Sequence, residues 1–318
     1  MTVRNFSTRL NSFGIGLGKK YPDESWTTVR LIAEAAKVKG LTSLELNYPE
    51  HFVKNSVHDV KAALANTKLN IKGIQLRWPA PKFSNGGFAN NDAEIRRAAI
   101  DTVKEATKVA REFSTDHILL WPAHDGYEYP LQMDYVKSWN WFRDALIELA
   151  DENPDMRYSI EYKPAEPRGR TLLNTTGAVL KMIADVNRVN VGVTLDFGHL
   201  LMAGENPAQS AALCLKDKKM FGLQLNDSHG AADDGLLVGS IHLPETIELA
   251  YYLIRENYEG TFYFDTDPVR ENPIRECEMN IERMNHILDK AEKLDKFTPT
   301  GDALASSELL WELAVGDR

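Results

Sequence analysis

"SIEYKPAEPRG", Ser159 to Gly169, sets a short β-like run directly against a proline-rich turn. Residues two apart on a strand point to the same side, so Ser159, Glu161 and Lys163 share one face while Ile160 and Tyr162 share the other. On an edge strand this would be an ordinary solvated face. Three later runs divide the same way. "VGVTLDFGH" sets Thr194 and Asp196 against Val193 and Leu195, and "FGLQLNDSHG" sets Gln224 and Asn226 against Leu223 and Leu225. "TFYFDTDP" sets Tyr263 and Asp265 against Phe262 and Phe264. In a closed barrel the apolar sets would face the helices, and the polar sets would converge inside at the end where such folds hold their chemistry.

Working outward, short β-rich runs alternate with longer helical patterns. Strands are expected at Asn11–Leu17, Ser43–Asn47, Asn70–Leu76, Asp116–Trp121, Arg157–Lys163, Asn190–Asp196, Met220–Asn226 and Thr261–Asp265. Amphipathic stretches between them include Trp26–Val38, Asp92–Glu112, Asp134–Ala150 and Pro244–Asn257, with Asp92 placed as an N-cap or first-turn acid. Eight strands separated by helices predict an α/β fold of the (β/α)8 TIM-barrel type over residues 1–295. A doubly wound sheet would want a glycine-rich phosphate loop; "FGIGLG" at Phe13–Gly18 lacks the full pattern and a following helix start. Residues 296–318 form a turn-rich tail and a short helix carrying Leu309, Leu310, Trp311 and Leu313, an expected contact with a second copy of the chain in a dimer or tetramer.

Composition narrows the class. With 318 residues and 43% hydrophobic content the chain can bury a large core. A net charge of −9 argues against a nucleic-acid partner. Cys214 and Cys277 are the only cysteines, which leaves no thiolate zinc site and suits a reducing compartment. The N-terminus has no apolar signal core and no stretch approaches a membrane span, so a soluble cytoplasmic protein is expected.

Glu161, Asp196 and Asp265 would repel one another at one point unless a cation joined them. With Gln224 they form an all-oxygen set that favours a hard divalent ion, Mn²⁺ or Mg²⁺, with Co²⁺ as a further choice. His199, three residues after Asp196, allows a D-x-x-H pair to share an ion. The loop "NDSHGAADDG" adds Asp227, His229, Asp233 and Asp234, enough to complete a second site, so one or two ions are expected.

These segments resemble the xylose isomerase-like sugar isomerases and epimerases. "IEYKPAEPRG" is similar to the strand-five motif of that family, which implies Glu161 as a metal ligand and Lys163 as the contact to the substrate's O1. "QLRWPAPKFSNGGFANNDAEIRR", "LLWPAHDGYEYP" and "FDTDPVRENP" resemble the family's segments at strands three, four and eight. "LDFGHLLMAGENP" and "LQLNDSHGAADDGLLVGS" look closer to the rhamnose isomerase branch. The resemblance implies a sugar pocket walled by Trp121, Phe88 and Trp78, with His124 and Asn226 as further substrate contacts. It also implies Asp234 as the ligand and water-holding acid of the second ion.

The departures are specific. Gln224 stands where the family carries histidine or aspartate, the first acid of the loop triplet is Ala232, and no ring-opening histidine occurs in "LELNYPEHF", although His51 lies close by. The implied activity is therefore a metal-dependent aldose–ketose isomerase acting on a branched or unusual pentose such as D-apiose, or a deoxyhexose such as L-rhamnose, rather than ordinary xylose isomerase. A keto-sugar 3-epimerase and a non-catalytic sugar-binding barrel are the alternatives. An abasic-site endonuclease of the same fold would want a basic groove.

Overall fold

The computed structural model describes residues 4–15, 25–294 and 297–315. Its main sheet has eight parallel strands: β1 (Phe6–Thr8), β2 (Ser43–Tyr48), β3 (Asn70–Leu76), β4 (His117–Leu120), β5 (Arg157–Glu161), β6 (Val191–Asp196), β7 (Met220–Leu225) and β8 (Phe262–Phe264). They follow one another around the sheet in chain order, and β1 also pairs with β8. An isolated parallel bridge between Arg9 and Glu45, with the Thr42 amide donating to Phe6 O at 3.1 Å, brings β1 beside β2 and nearly closes the barrel.

Helices α1 (Thr28–Ala35), α2 (Val57–Ala65), α3 (Ala93–Glu112), α4 (Tyr135–Glu152), α5 (Thr176–Val186), α6 (Phe197–Met202), α7 (Pro207–Lys216), α8 (Leu243–Arg255) and α9 (Pro273–Glu292) form the outer layer. Their starts are written in the sequence. Asp92 and Asp134 each cap a helix, accepting from the amides of Glu94 and Lys137 respectively. None of the described helices is long and apolar enough to cross a membrane. A last helix, α10 (Ala303–Val315), lays Leu310 and Leu313 against the core and leaves Trp311 68% exposed.

The hydrophobic layer lies between sheet and helices, where Leu44, Leu46, Ile74, Leu76, Ile118, Leu120, Ile160, Val193 and Leu195 are fully buried. The barrel interior is polar instead. Ser159 Oγ bridges His117 Nε2 and Thr194 Oγ1 at 2.7 Å each, and Gln75 Nε2 donates to Glu45 at 2.8 Å. Gly222 makes room there, since a Cβ at that position would meet Thr194 Oγ1 at 2.5 Å.

Seven of the expected strands lie where the alternation put them, and the first does not. Residues Leu10–Gly14 form a 3-10 turn, and the strand is the shorter segment Phe6–Thr8. The apolar run around Phe13 misled because its side chains turn into the core from a helical turn; Leu17 lies outside the described residues.

Candidate active site

At the carboxyl ends of the strands a cavity of about 380 Å³ is lined by Arg9, Arg77, Trp121, His124, Glu161, Lys163, Glu166, Pro167, His199, Asp233, Asp265 and Asp267. A larger cavity of about 830 Å³ opens at the opposite end, around Lys72, Arg157 and Tyr258. The smaller one is the functional candidate, because it holds the titratable cluster at the end of the barrel where the loops can shape chemistry.

Its floor is built by β5 and β6. Glu161 ends β5, and Asp196 ends β6 while capping α6 by accepting from the His199 amide at 2.9 Å. The cap turns the first helical turn back over the strand. His199 Nδ1 thereby lies 3.6 Å from Glu161 Oε1 and 3.9 Å from Asp196 Oδ1. These three side chains place ligand atoms within 4.8 Å of one another, all buried. Asn226, just beyond β7, holds the arrangement: its Nδ2 donates to Asp196 at 3.2 Å and to Asp265 O at 3.1 Å, and its Oδ1 accepts from Gly198 N. A Cβ on residue 198 would sit 2.8 Å from that oxygen, so glycine is required for the close approach.

The electrostatics reflect acids and an imidazole crowded together out of water. Burial, aided by Asp196 and Asp265, pushes the Glu161 carboxyl up to about 8 even against the pull of His199. Burial and the neighbouring Asp233 and Asp265 push Asp196 up to about 6. His199 moves the other way from most buried imidazoles: burial opposes its charge, but Asp196, Asp233 and Glu161 raise it to about 9. His199 Nδ1 and Gln224 Oε1 are buried with no hydrogen-bond partner. Two unpartnered ligand atoms beside two carboxylates fit a divalent ion, which would take the place of the imidazole proton and satisfy them together. Gln224 Nε2 meanwhile donates to Glu161 at 3.3 Å.

Lys163 stands at the rim. It pairs with Asp233 at 2.9 Å and with Glu166 at 3.0 Å. Burial works against its charge, yet these two acids keep its pKa above the usual lysine value. Asp233 also approaches His199 Nε2 at 3.5 Å, and despite burial His199 and Lys163 hold it well below the ordinary carboxylate range. Asp265 lies on the opposite wall, 3.7 Å from Arg9, which is also paired with Asp267.

The structure thus gathers Glu161, Lys163, Asp196, His199, Gln224, Asp265, Trp121 and His124 around one cavity floor and wall, and separates several others from it. Trp78 and Phe88 pack edge-to-face at 4.8 Å, with Phe142 against Phe88, and are core residues rather than a pocket wall. Asp227 is spent on the backbone: it accepts from Ile241 N, His242 N and Ser228 N and pairs with His242 Nδ1 at 2.8 Å. Asp234 accepts from His229 N at 2.8 Å, and it is Asp233 that reaches the cluster. Asn226 is committed to Asp196 and Gly198 instead of a substrate. His51 is pinned between the Asn47 amide at 2.8 Å and Asn11 Oδ1 at 2.6 Å, and burial lowers it to about 4, so it is a neutral structural imidazole.

Arg9, Arg77 and Asp267 were not singled out as site residues by the sequence motifs, and Asp233 was named only with its loop neighbours for a second ion. A signal existed for two of them, since Arg77 falls two residues after Gln75 and Arg9 two after Ser7, on the inward-facing side of their strands.

An eight-stranded parallel barrel with a buried carboxylate–imidazole cluster at its carboxyl end defines a member of the (β/α)8 class. Residues 32–285 match the xylose isomerase-like TIM barrel family model, and the chain belongs to that family. It is 30% identical over 221 residues to a xylose isomerase of Thermus thermophilus, a match covering 67% of this chain and 57% of that protein. The chain thus spans little more than half the length of the curated relative. Among solved structures it resembles an L-ribulose 3-epimerase, with a TM-score of 0.72 at 14% identity over 94% of this chain and 100% of that one. It also resembles the IOLI protein with a binding zinc atom, with a TM-score of 0.64 at 16% identity over 94% of this chain and 100% of that one. At these identities the structural matches support the fold.

Proposed function

We propose that the protein is a divalent-metal-dependent aldose–ketose isomerase. The observation that carries this reading is the buried Glu161–Asp196–His199 cluster, with orphaned donor atoms on His199 and Gln224, beside a lysine held ready at the rim. Glu161, Asp196, His199 and Gln224 would hold the ion. The imidazole in that set favours Mn²⁺ or Co²⁺ over Mg²⁺, which prefers oxygen alone. With Asp227 and Asp234 committed elsewhere, one ion per site is the stoichiometry we assign.

When bound, the ion supplies Lewis-acid polarisation of the carbonyl and a clamp on two adjacent substrate oxygens. Lys163 donates a hydrogen bond to O1 as charge builds there, and Asp233 keeps the ammonium aimed. Trp121 excludes water from one wall, so a hydrogen can pass between C1 and C2 with its electron pair instead of exchanging with solvent. Because His51, in the turn after β2, is locked in place, no imidazole there opens a ring, and the site takes the open-chain form of its aldose.

On the same footing we assign residues 1–295 to the catalytic unit, and Trp311 on α10 to a contact between copies in a cytoplasmic homo-oligomer. The decisive experiment offers a panel of aldoses and, separately, of ketoses to the Mn²⁺-supplemented protein in D₂O and reads products by NMR. Ketose without deuterium supports the reading; deuterium entering at C3 of a ketose identifies a 3-epimerase instead. Glu161→Gln must lower both metal content and turnover, and unchanged values of both would overturn the enzyme assignment.

A further inference from the structure

The cavity holds three long-chain cations, and two of them are spent. Arg9 is paired with Asp267 and Asp265, and Lys163 with Asp233 and Glu166. Arg77 is different. It follows directly on β3, its amide is anchored to Tyr48 O at 3.0 Å, and its guanidinium lies 5.1 Å from the centre of the Trp121 ring. Among the described residues its side chain makes no hydrogen bond and no ion pair, and Nε is buried without a partner. Burial opposes its charge, while Asp265, Glu161 and Glu50 support it from a distance, outside ion-pair contact. Glu161 belongs to the cluster proposed to hold the metal, and Asp265 lines the same cavity.

We propose that Arg77 is the specificity-determining residue of the site, and that it receives the carboxylate of an acidic sugar whose other end, an α-hydroxycarbonyl, reaches the Glu161–Asp196–His199 cluster. This deepens the isomerase reading and rests on it. A guanidinium that a substrate seals from water needs a counter-charge; a neutral hydroxyl would leave a full charge desolvated and unpaired. The planar fork, laid against Trp121, matches a carboxylate through two parallel hydrogen bonds. A phosphate dianion would want a second uncommitted cation, and the cavity offers none among its described residues. His124, the remaining nitrogen-bearing group on that wall, is kept neutral by burial and by Arg168. A volume of about 380 Å³ accommodates a six-carbon sugar acid.

The test compares D-glucuronate, D-glucose and D-glucose 6-phosphate on the full-length Mn²⁺-loaded protein, by calorimetric binding and by kcat/KM. Wild type should prefer glucuronate to glucose, and Arg77→Met should cut that preference by about 30- to 100-fold, the worth of a charge-assisted bidentate bond. Arg77→Lys, which keeps the charge and loses the fork, should fall between. If Arg77 were only a counter-ion for the acids, Arg77→Met would lower both sugars equally and leave the ratio unmoved, which overturns the proposal. Preference for the phosphate ester overturns the carboxylate assignment. Turnover of glucose with no preference for glucuronate sinks this inference and leaves the isomerase standing. Arg77-dependent binding of glucuronate without turnover does the reverse.

Discussion

Lys163 and Asp233 join across the mouth of the barrel at 2.9 Å, the lysine from just beyond β5 and the carboxylate from the loop after β7. The same carboxylate reaches His199, so one group aims both the donor to the substrate and a metal-cluster imidazole. Asp233→Asn should lower kcat by about 10- to 100-fold, the usual cost of losing an outer partner, while the protein keeps one equivalent of metal by elemental analysis. Loss of the metal would make Asp233 a ligand and undo its positioning role.

The metal-free protein should respond to pH in one direction. Glu161 at about 8, Asp196 at about 6 and His199 at about 9 are all displaced upward. A raised pKa contributes stability that is complete below the unfolded value, roughly 4 for the acids and 6.5 for the imidazole, and is lost as pH rises through the folded value. The melting temperature of the metal-free form should therefore fall between about pH 4 and pH 9 relative to the loaded form. By the same linkage, metal uptake at pH 7 should release protons, seen as a calorimetric enthalpy that changes with the buffer's ionisation heat. An enthalpy independent of buffer would contradict the pKa assignments.

Gln224 offers the ion a neutral carbonyl oxygen. Gln224→Glu keeps the side-chain length and adds a charge, so Mn²⁺ affinity should rise about tenfold, worth about 1.4 kcal/mol. The added charge lies beside Glu161 and exchanges that residue's hydrogen-bond donor for a repelling oxygen, so the metal-free protein should melt earlier. Titration with Mn²⁺ and thermal melts of both forms check the two halves separately.

Phe88 and Trp121 should separate core from pocket. Phe88→Ala should cost about 3–5 kcal/mol of stability, as a cavity in a well-packed core does, with KM unchanged in the protein that remains folded. Trp121→Ala removes a pocket wall and the surface under Arg77, and should raise KM with a small loss of stability. Chemical denaturation and steady-state kinetics on the two variants distinguish the cases.

Much of this architecture was legible in the residues because parallel barrel strands write their two environments in strict alternation. In β6, Val193 and Leu195 sit under helices while Thr194 and Asp196 point inward, and no other register satisfies both sets. β1 escaped because three residues are too few to establish a period, and the apolar run beside it belongs to a turn. Loop acids were harder still. Nothing local distinguishes Asp233 from Asp234; the choice depends on how the loop after Asn226 folds back, with Asp227 and Leu236 paired as a bridge. The aromatics followed the same rule, since Trp78 and Trp121 both follow strand ends, and only the packing of α3 and α4 decides which of them meets solvent.

Asp196 ends β6, caps α6 and faces Glu161 and His199 with a single carboxylate. Any substitution there is judged twice, once by folding and once by chemistry. Glutamate would keep the charge but carry the oxygen past the His199 amide, and asparagine would keep the cap but forfeit the charge. The position therefore has almost no room to drift, while the loops around it do. For anyone reshaping this barrel toward another sugar, Asp196 is the fixed point of the design, and diversity belongs on the rim that carries Arg77, Trp121 and Glu166.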